Sequence, residues 1–156
     1  MGTVEERLAE LGIKLPTPAA PVANYVGTVR SGNLLFVSGQ ICFGLDGKLS
    51  DAHKGKLGAE ISMEAGVEAA RLCAINVLAQ VRGAIGDLDG VERCVRLGGF
   101  INAVPTFAAV PAVMNGASDL MVAVFGDKGR HARSTIGVAE LPADAAVEVE
   151  GIFALR

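Results

Sequence analysis

Apolar residues recur along this chain with two different periods, and the periods divide it into elements. Met63, Val67, Ala70, Ala74, Val77, Val81 and Ile85 are spaced by three or four, which predicts one long helix over about 63–84 with a single buried stripe. Ser62 is placed to cap it and Gly86 to stop it. A second helix is predicted from Pro111, suited to a first turn, to Phe125, with Asn115-Gly116 expected to distort its middle. A short charged, amphipathic stretch, Met1 to Gly12, reads as a third: Thr3-Val-Glu-Glu6 forms a capping box, Leu8 and Leu11 share a side, and Gly12 ends it. Alternation of period two marks strands at Tyr25–Arg30 and Leu34–Ser38, joined by Ser31-Gly32-Asn33, and at Val91–Asn102. Gly98-Gly99 in that last strand signals a bulge or a close backbone approach. Two further strands, Arg133–Pro142 and one beginning near Ala146, close the chain around a proline turn. Pro16–Pro21 reads as an extended connector and Gly44–Gly58 as a loop.

After the short N-terminal helix, the order is strand, strand, helix, strand, helix, strand, strand. This is an α+β pattern, one mixed sheet with both helices on one face. The opposite face then needs a cover, and a second subunit would supply it. Composition supports that reading: 156 residues suit one domain, yet 51% are hydrophobic and only 4% aromatic, with 20 Gly. The net charge of −3 and the lack of a Lys/Arg run argue against nucleic acid as a partner. No apolar stretch reaches membrane-spanning length, and the N-terminus does not read as a signal peptide. Three scattered cysteines form no disulfide framework, and two histidines form no metal-ligand cluster. The expectation is a cytoplasmic protein with no metal.

The chemistry concentrates in the last two strands. Parity puts Glu148 and Glu150 on one face with Ile152 and Ala154, and Arg133 on a face with Thr135, Gly137 and Ala139. If the strands pair as a hairpin turning near Pro142 to Asp144, Ala139 lies opposite Glu148. Arg133 then shares Glu148's face, roughly 20 Å further along. A single chain could hardly bring both to one small substrate; two neighbouring chains could. A covered arginine needs an anion, and its planar fork matches a carboxylate. Glu148 could hold a water for attack on the adjacent carbon. The plainer alternative is an ion pair between subunits.

Arg133-Ser134, Val138-Ala139, Leu141-Pro142 and Val147-Glu148-Val149-Glu150 resemble the C-terminal signature of the RidA/YjgF reactive-intermediate deaminase family, also labelled L-PSP endoribonuclease. Tyr25-Val26, Gly32-Asn33 and Ser38-Gly39-Gln40-Ile41 resemble its N-terminal signature, in the same order. The resemblance runs from about residue 22 to the end, so residues 1–20 read as an N-terminal helix and linker added to a domain over 21–156. It implies a chorismate-mutase-like fold and a homotrimer with clefts between subunits. It also implies hydrolysis of small 2-imino or enamine acids, such as 2-iminobutanoate and 2-iminopropanoate, to 2-keto acids and ammonia, with no metal or organic cofactor. Arg133 then corresponds to the carboxylate-binding arginine and Glu148 to the glutamate that positions water. Tyr25 corresponds to a cleft tyrosine, Gly39 to a glycine whose backbone approaches the ligand, and Asn115 to a helix asparagine. Thr135 stands where many members carry cysteine, and the stretch 114–126 departs from the better-known deaminases, which marks a separate subgroup. Rival readings are a non-catalytic trimer binding carboxylate metabolites, a ribonuclease and, by fold analogy, a mutase. Of the other polar residues, Glu150 is expected to pair with an arginine such as Arg130, His131 to lie exposed in a turn, and His53 to be solvated in a loop. Cys42 could approach the cleft, while Cys73 and Cys94 read as buried apolar residues.

Overall fold

The computed structural model describes residues 3–156; residues 1 and 2, the start of the predicted amphipathic stretch, lie outside them. Helix α1 spans Thr3–Glu10, α2 Met63–Ile85 and α3 Val110–Phe125. Strands are β1 Thr28–Ser31, β2 Leu34–Ile41, β3 Val91–Asn102, β4 Ala132–Val138 and β5 Val147–Leu155. Ser62 caps α2 by accepting from the Ala65 N–H, and Gly86 ends the helix at φ 84°. Asp89, far along the chain, caps α1: its carboxylate accepts from the backbone N–H groups of Thr3 and Val4 and from the Thr3 hydroxyl. That replaces the local capping box predicted from Thr3 and Glu6. The bond from Val4 is the main cause holding Asp89's carboxyl below its ordinary range.

The sheet has the order β1-β2-β5-β3-β4. β3 and β4 run parallel, while β5 is inserted antiparallel between β2 and β3. The expected hairpin of the last two strands therefore does not form. The reason is the crossover: α3 follows β3 and packs on the sheet, which returns the chain parallel to β3 at its free edge. The connection 139–146 then crosses back to β5 over a polar knot. Asn102, fully buried, donates through Nδ2 to Glu140, Asp144 and the Ala145 carbonyl. Lys56 donates to Asn102 Oδ1 and to the Ala139 carbonyl.

Helices α2 and α3 cover one face of the sheet. Val147, Val149, Phe153 and Leu155 of β5 and Leu97 and Ile101 of β3 point into that layer and are 0–4% exposed. The other face carries Phe36 and Ile136, which are 41% and 51% exposed. The Gly98-Gly99 pair is a close approach and not a bulge: the β3–β5 register runs unbroken through it, and a Cβ on Gly99 would strike Met114 of α3. Asn115-Gly116 does not distort α3 either. Gly116 is where the two long helices touch, and a Cβ there would run into the Val67 backbone carbonyl. Overpacking against backbone outweighs the gain in helix propensity, so Gly116→Ala is expected to cost about 1–2 kcal/mol. The corresponding fall in melting temperature is roughly 3–8 °C. An unchanged melting curve would show that α2 and α3 are not in this contact.

Candidate functional site

Two groups of polar residues form at opposite ends of the sheet. The first surrounds a cleft of about 230 Å³ beside β2, lined in part by Tyr25, Gly39, Ile41, Gln80 and Glu148. Because β1 begins only at Thr28, the far half of β2 lacks a neighbour on that side, and the cleft opens there. A bulge between Val37 and Gln40 sets Gly39 against Glu148 of β5. A Cβ on Gly39 would lie 2.9 Å from Glu148 Cδ, so this glycine leaves room for the carboxylate. Residues 19–22 form a wall of the cleft, anchored where Gln80 Nε2 donates to the Ala19 carbonyl at 2.9 Å.

Burial, and secondarily the neighbouring Glu150, raise the Glu148 carboxyl above its ordinary value of 4.5. A glutamate acting as a base must be ionised, so its activity is lost as pH falls through this raised value. If Glu148 serves as a base, the acid limb of the pH profile it governs is therefore expected above the usual glutamate range. Glu150→Gln should move it part of the way down, because burial is the larger cause. A limb at the ordinary glutamate value would rule out Glu148 as the titrating base.

The second group lies where α3 meets β4. Arg133 Nη1 donates to Asn115 Oδ1 at 2.9 Å and to Ser118 Oγ at 3.1 Å, and Nη2 donates to the Pro111 carbonyl at 3.2 Å. Of the five guanidinium N–H donors, Nε–H and one on Nη2 remain for an external carboxylate. No carboxylate among the described residues lies within ion-pair distance of Arg133. Thr135, two residues on, lies across from Gly99, and its Oγ1 is buried without a hydrogen-bond partner.

Six residues singled out in the sequence thus fall into two sets: Tyr25, Gly39 and Glu148 in the cleft, and Arg133, Thr135 and Asn115 at the β4 edge. One chain does not bring the sets together. Arg133 is level with Gly151 across Leu97, whereas Glu148 is level with Ile136 across Phe100. That is three residues and two strands apart, about 14 Å between Cα atoms. Nor do they share a face, as the hairpin register required: Arg133 turns toward α3, and Glu148 points away from the helices.

Other expectations change as well. Arg130 pairs with Asp127, not Glu150. His131 is half-buried and hydrogen-bonded to Ser118 and to the Gly129 carbonyl. His53 is half-buried, with Nδ1 buried and unpartnered. Cys42 is fully buried and does not line the cleft, whereas Cys73 and Cys94 are buried as expected, and burial pushes the Cys73 thiol well above its ordinary value. Gln80 and Ser118 were not singled out in the sequence. Ser118 follows Asn115 by three, a spacing that places both on one helix face, but an isolated serine carries no signal of its own.

No helix among the described residues is long and apolar enough to cross a membrane. Comparison with known proteins gives a consistent picture. A family described as "YjgF/chorismate_mutase-like, putative endoribonuclease" matches residues 5–154. Protein TCP17 of Trypanosoma cruzi is 48% identical over 156 residues, covering 99% of this chain and 96% of that protein. A 2-iminobutanoate/2-iminopropanoate deaminase of Dermatophagoides farinae is 29% identical over 144 residues, covering 92% of this chain and 95% of that protein. Among solved structures, protein Atu1372 of Agrobacterium tumefaciens, described as of unknown function, superposes with a TM-score of 0.90 at 44% identity. It matches 98% of this chain and 92% of its own.

Proposed function

The chain belongs to the YjgF/chorismate-mutase-like family, and from that premise we propose that it is a hydrolytic deaminase of small 2-imino acids. The observation that carries this reading is Arg133: a guanidinium oriented by three hydrogen bonds, with a fork of donors left over and no carboxylate among the described residues within ion-pair distance. Such a group suits the carboxylate of an incoming ligand. The similar deaminase of Dermatophagoides farinae acts, by its name, on acids of this kind.

In the proposed reaction, Arg133 grips the substrate carboxylate, with Thr135 Oγ1 alongside as a hydrogen-bonding group. Glu148 takes a proton from water as the oxygen attacks the imine carbon. It returns that proton to nitrogen, giving a carbinolamine; the same carboxylate then carries the proton of the new hydroxyl to nitrogen, so that C=O forms as the C–N bond breaks, releasing ammonia and a 2-keto acid. The imine carbon is already electrophilic, so positioning and one base suffice. Because one chain keeps Arg133 and Glu148 apart, the complete site is proposed to form where the β4 edge of one subunit meets the β2 cleft of the next, in a closed ring of three. The exposed apolar side chains on the helix-free sheet face fit such an assembly.

The test is ammonia release from 2-iminobutanoate generated in situ by a separate enzyme. Release no faster than in buffer would defeat the reading. Binding of 2-ketobutyrate without turnover would instead identify a carboxylate-binding protein.

A further inference from the structure

Behind Arg133 runs a directed chain of hydrogen bonds. The Gly129 carbonyl can only accept, so His131 Nδ1, 2.7 Å away, carries a proton. Burial lowers the imidazole pKa, with Arg133's charge adding to the effect, although the bond to Gly129 opposes it. The ring is therefore neutral near pH 7, and Nε2 is an acceptor. Nε2 lies 2.9 Å from Ser118 Oγ, so the serine hydroxyl donates to it. That turns the serine lone pairs toward Arg133 Nη1, 3.1 Å away. Every link has one consistent direction, ending on the guanidinium.

We infer that Ser118 and His131 are positioning residues that hold Arg133 with its free fork turned toward a substrate carboxylate. Arginine has four rotatable side-chain bonds, and ordering it on ligand binding would cost affinity. Asn115 and Pro111 fix two of its donors from α3, but both lie on one helix. His131 instead belongs to the turn leading into β4. The Ser118–His131 link therefore joins helix to strand across the guanidinium, and the fork keeps its aim only while those elements stay in register. Ser118 itself is not assigned to the reacting atoms.

This inference rests on Arg133 being the carboxylate clamp, so the experiment separates the two claims. Calorimetry with 2-ketobutyrate and steady-state kinetics with 2-iminobutanoate are run on wild type, Ser118→Ala, Ser118→Thr and His131→Phe, the last keeping ring volume. Both Ser118→Ala and His131→Phe should raise Kd and KM about tenfold, in line with losing one charge-assisted bond, with kcat within about threefold of wild type. Ser118→Thr, which keeps the hydroxyl, should recover most of the affinity. Nitrogen-15 NMR of the Arg133 guanidinium gives a readout independent of any ligand. Restricted rotation should give distinct Nη signals in wild type and in Ser118→Thr, and averaged signals in Ser118→Ala and His131→Phe. If the guanidinium signals do not change in the two disabling variants, the positioning claim is overturned whether or not the protein turns over imines. If they average as expected but wild type neither binds nor turns over, the chain orients Arg133 while the deaminase reading fails.

Discussion

Replacing Arg133 by alanine is expected to lower kcat/KM for 2-iminobutanoate by about 10²–10³-fold, the larger part appearing in KM. In the proposed reaction its guanidinium makes charge-assisted, paired bonds to the carboxylate in both ground and transition states, and truncating one partner of such a pair costs about 2–5 kcal/mol. Binding that is equal in both states shows mainly in KM. Arg133→Lys should recover only part of the loss. An ammonium can supply the charge, but it lacks the planar fork that both engages Asn115, Ser118 and Pro111 and leaves two donors over. Steady-state kinetics on the two variants provide the check. A lysine variant with wild-type KM would show that charge alone matters and that the fork is not used.

Glu148→Gln is expected to leave binding of 2-ketobutyrate within a fewfold of wild type and to reduce kcat by about 10²–10⁴, the usual contribution of a positioned general base. Glutamine keeps the shape beside Gly39, where the space is tight, but it cannot take the proton. Single-turnover ammonia release measures the effect directly. The pair also tests the shared site. If each cleft takes Arg133 from one subunit and Glu148 from another, mixing and co-refolding equal amounts of Arg133→Ala and Glu148→Gln regenerates intact clefts. In random closed rings this would restore about a quarter of wild-type activity. Mixtures no more active than either variant would mean that the two residues do not serve one cleft across a subunit boundary.

The sequence alone determined the elements and several of their ends. The apolar spacing of α2, its Ser62 cap and Gly86 stop, the bounds of β3 and the start of α3 near Pro111 are encoded in a few adjacent residues. Period and capping act locally, so they can be read locally. Strand parity also separated Val147 and Val149 from Glu148 and Glu150 correctly, because alternation belongs to one strand. Which strands become neighbours does not. The hairpin of the last two strands failed because α3 returns β4 parallel to β3, leaving β5 to enter between β2 and β3. Strand neighbours are set by packing across the whole chain, and no short segment contains that choice. The faces of Arg133 and Glu148 followed the same decision.

Glycine roles were legible in kind but not in partner. Gly98-Gly99 announced a close approach, while only packing identified Met114 as what approaches; Gly116, read as a helix defect, proved to be a helix contact. The candidate site repeats the pattern. Motif resemblance singled out Arg133, Glu148, Tyr25, Gly39, Thr135 and Asn115, because residue type and spacing carry that much. The separation of these residues into a cleft and an edge, the raised carboxyl of Glu148, and the chain from Gly129 through His131 and Ser118 to Arg133 were decided by tertiary structure. Each depends on burial and on distances between residues far apart in sequence, or on the side-chain directions that packing imposes.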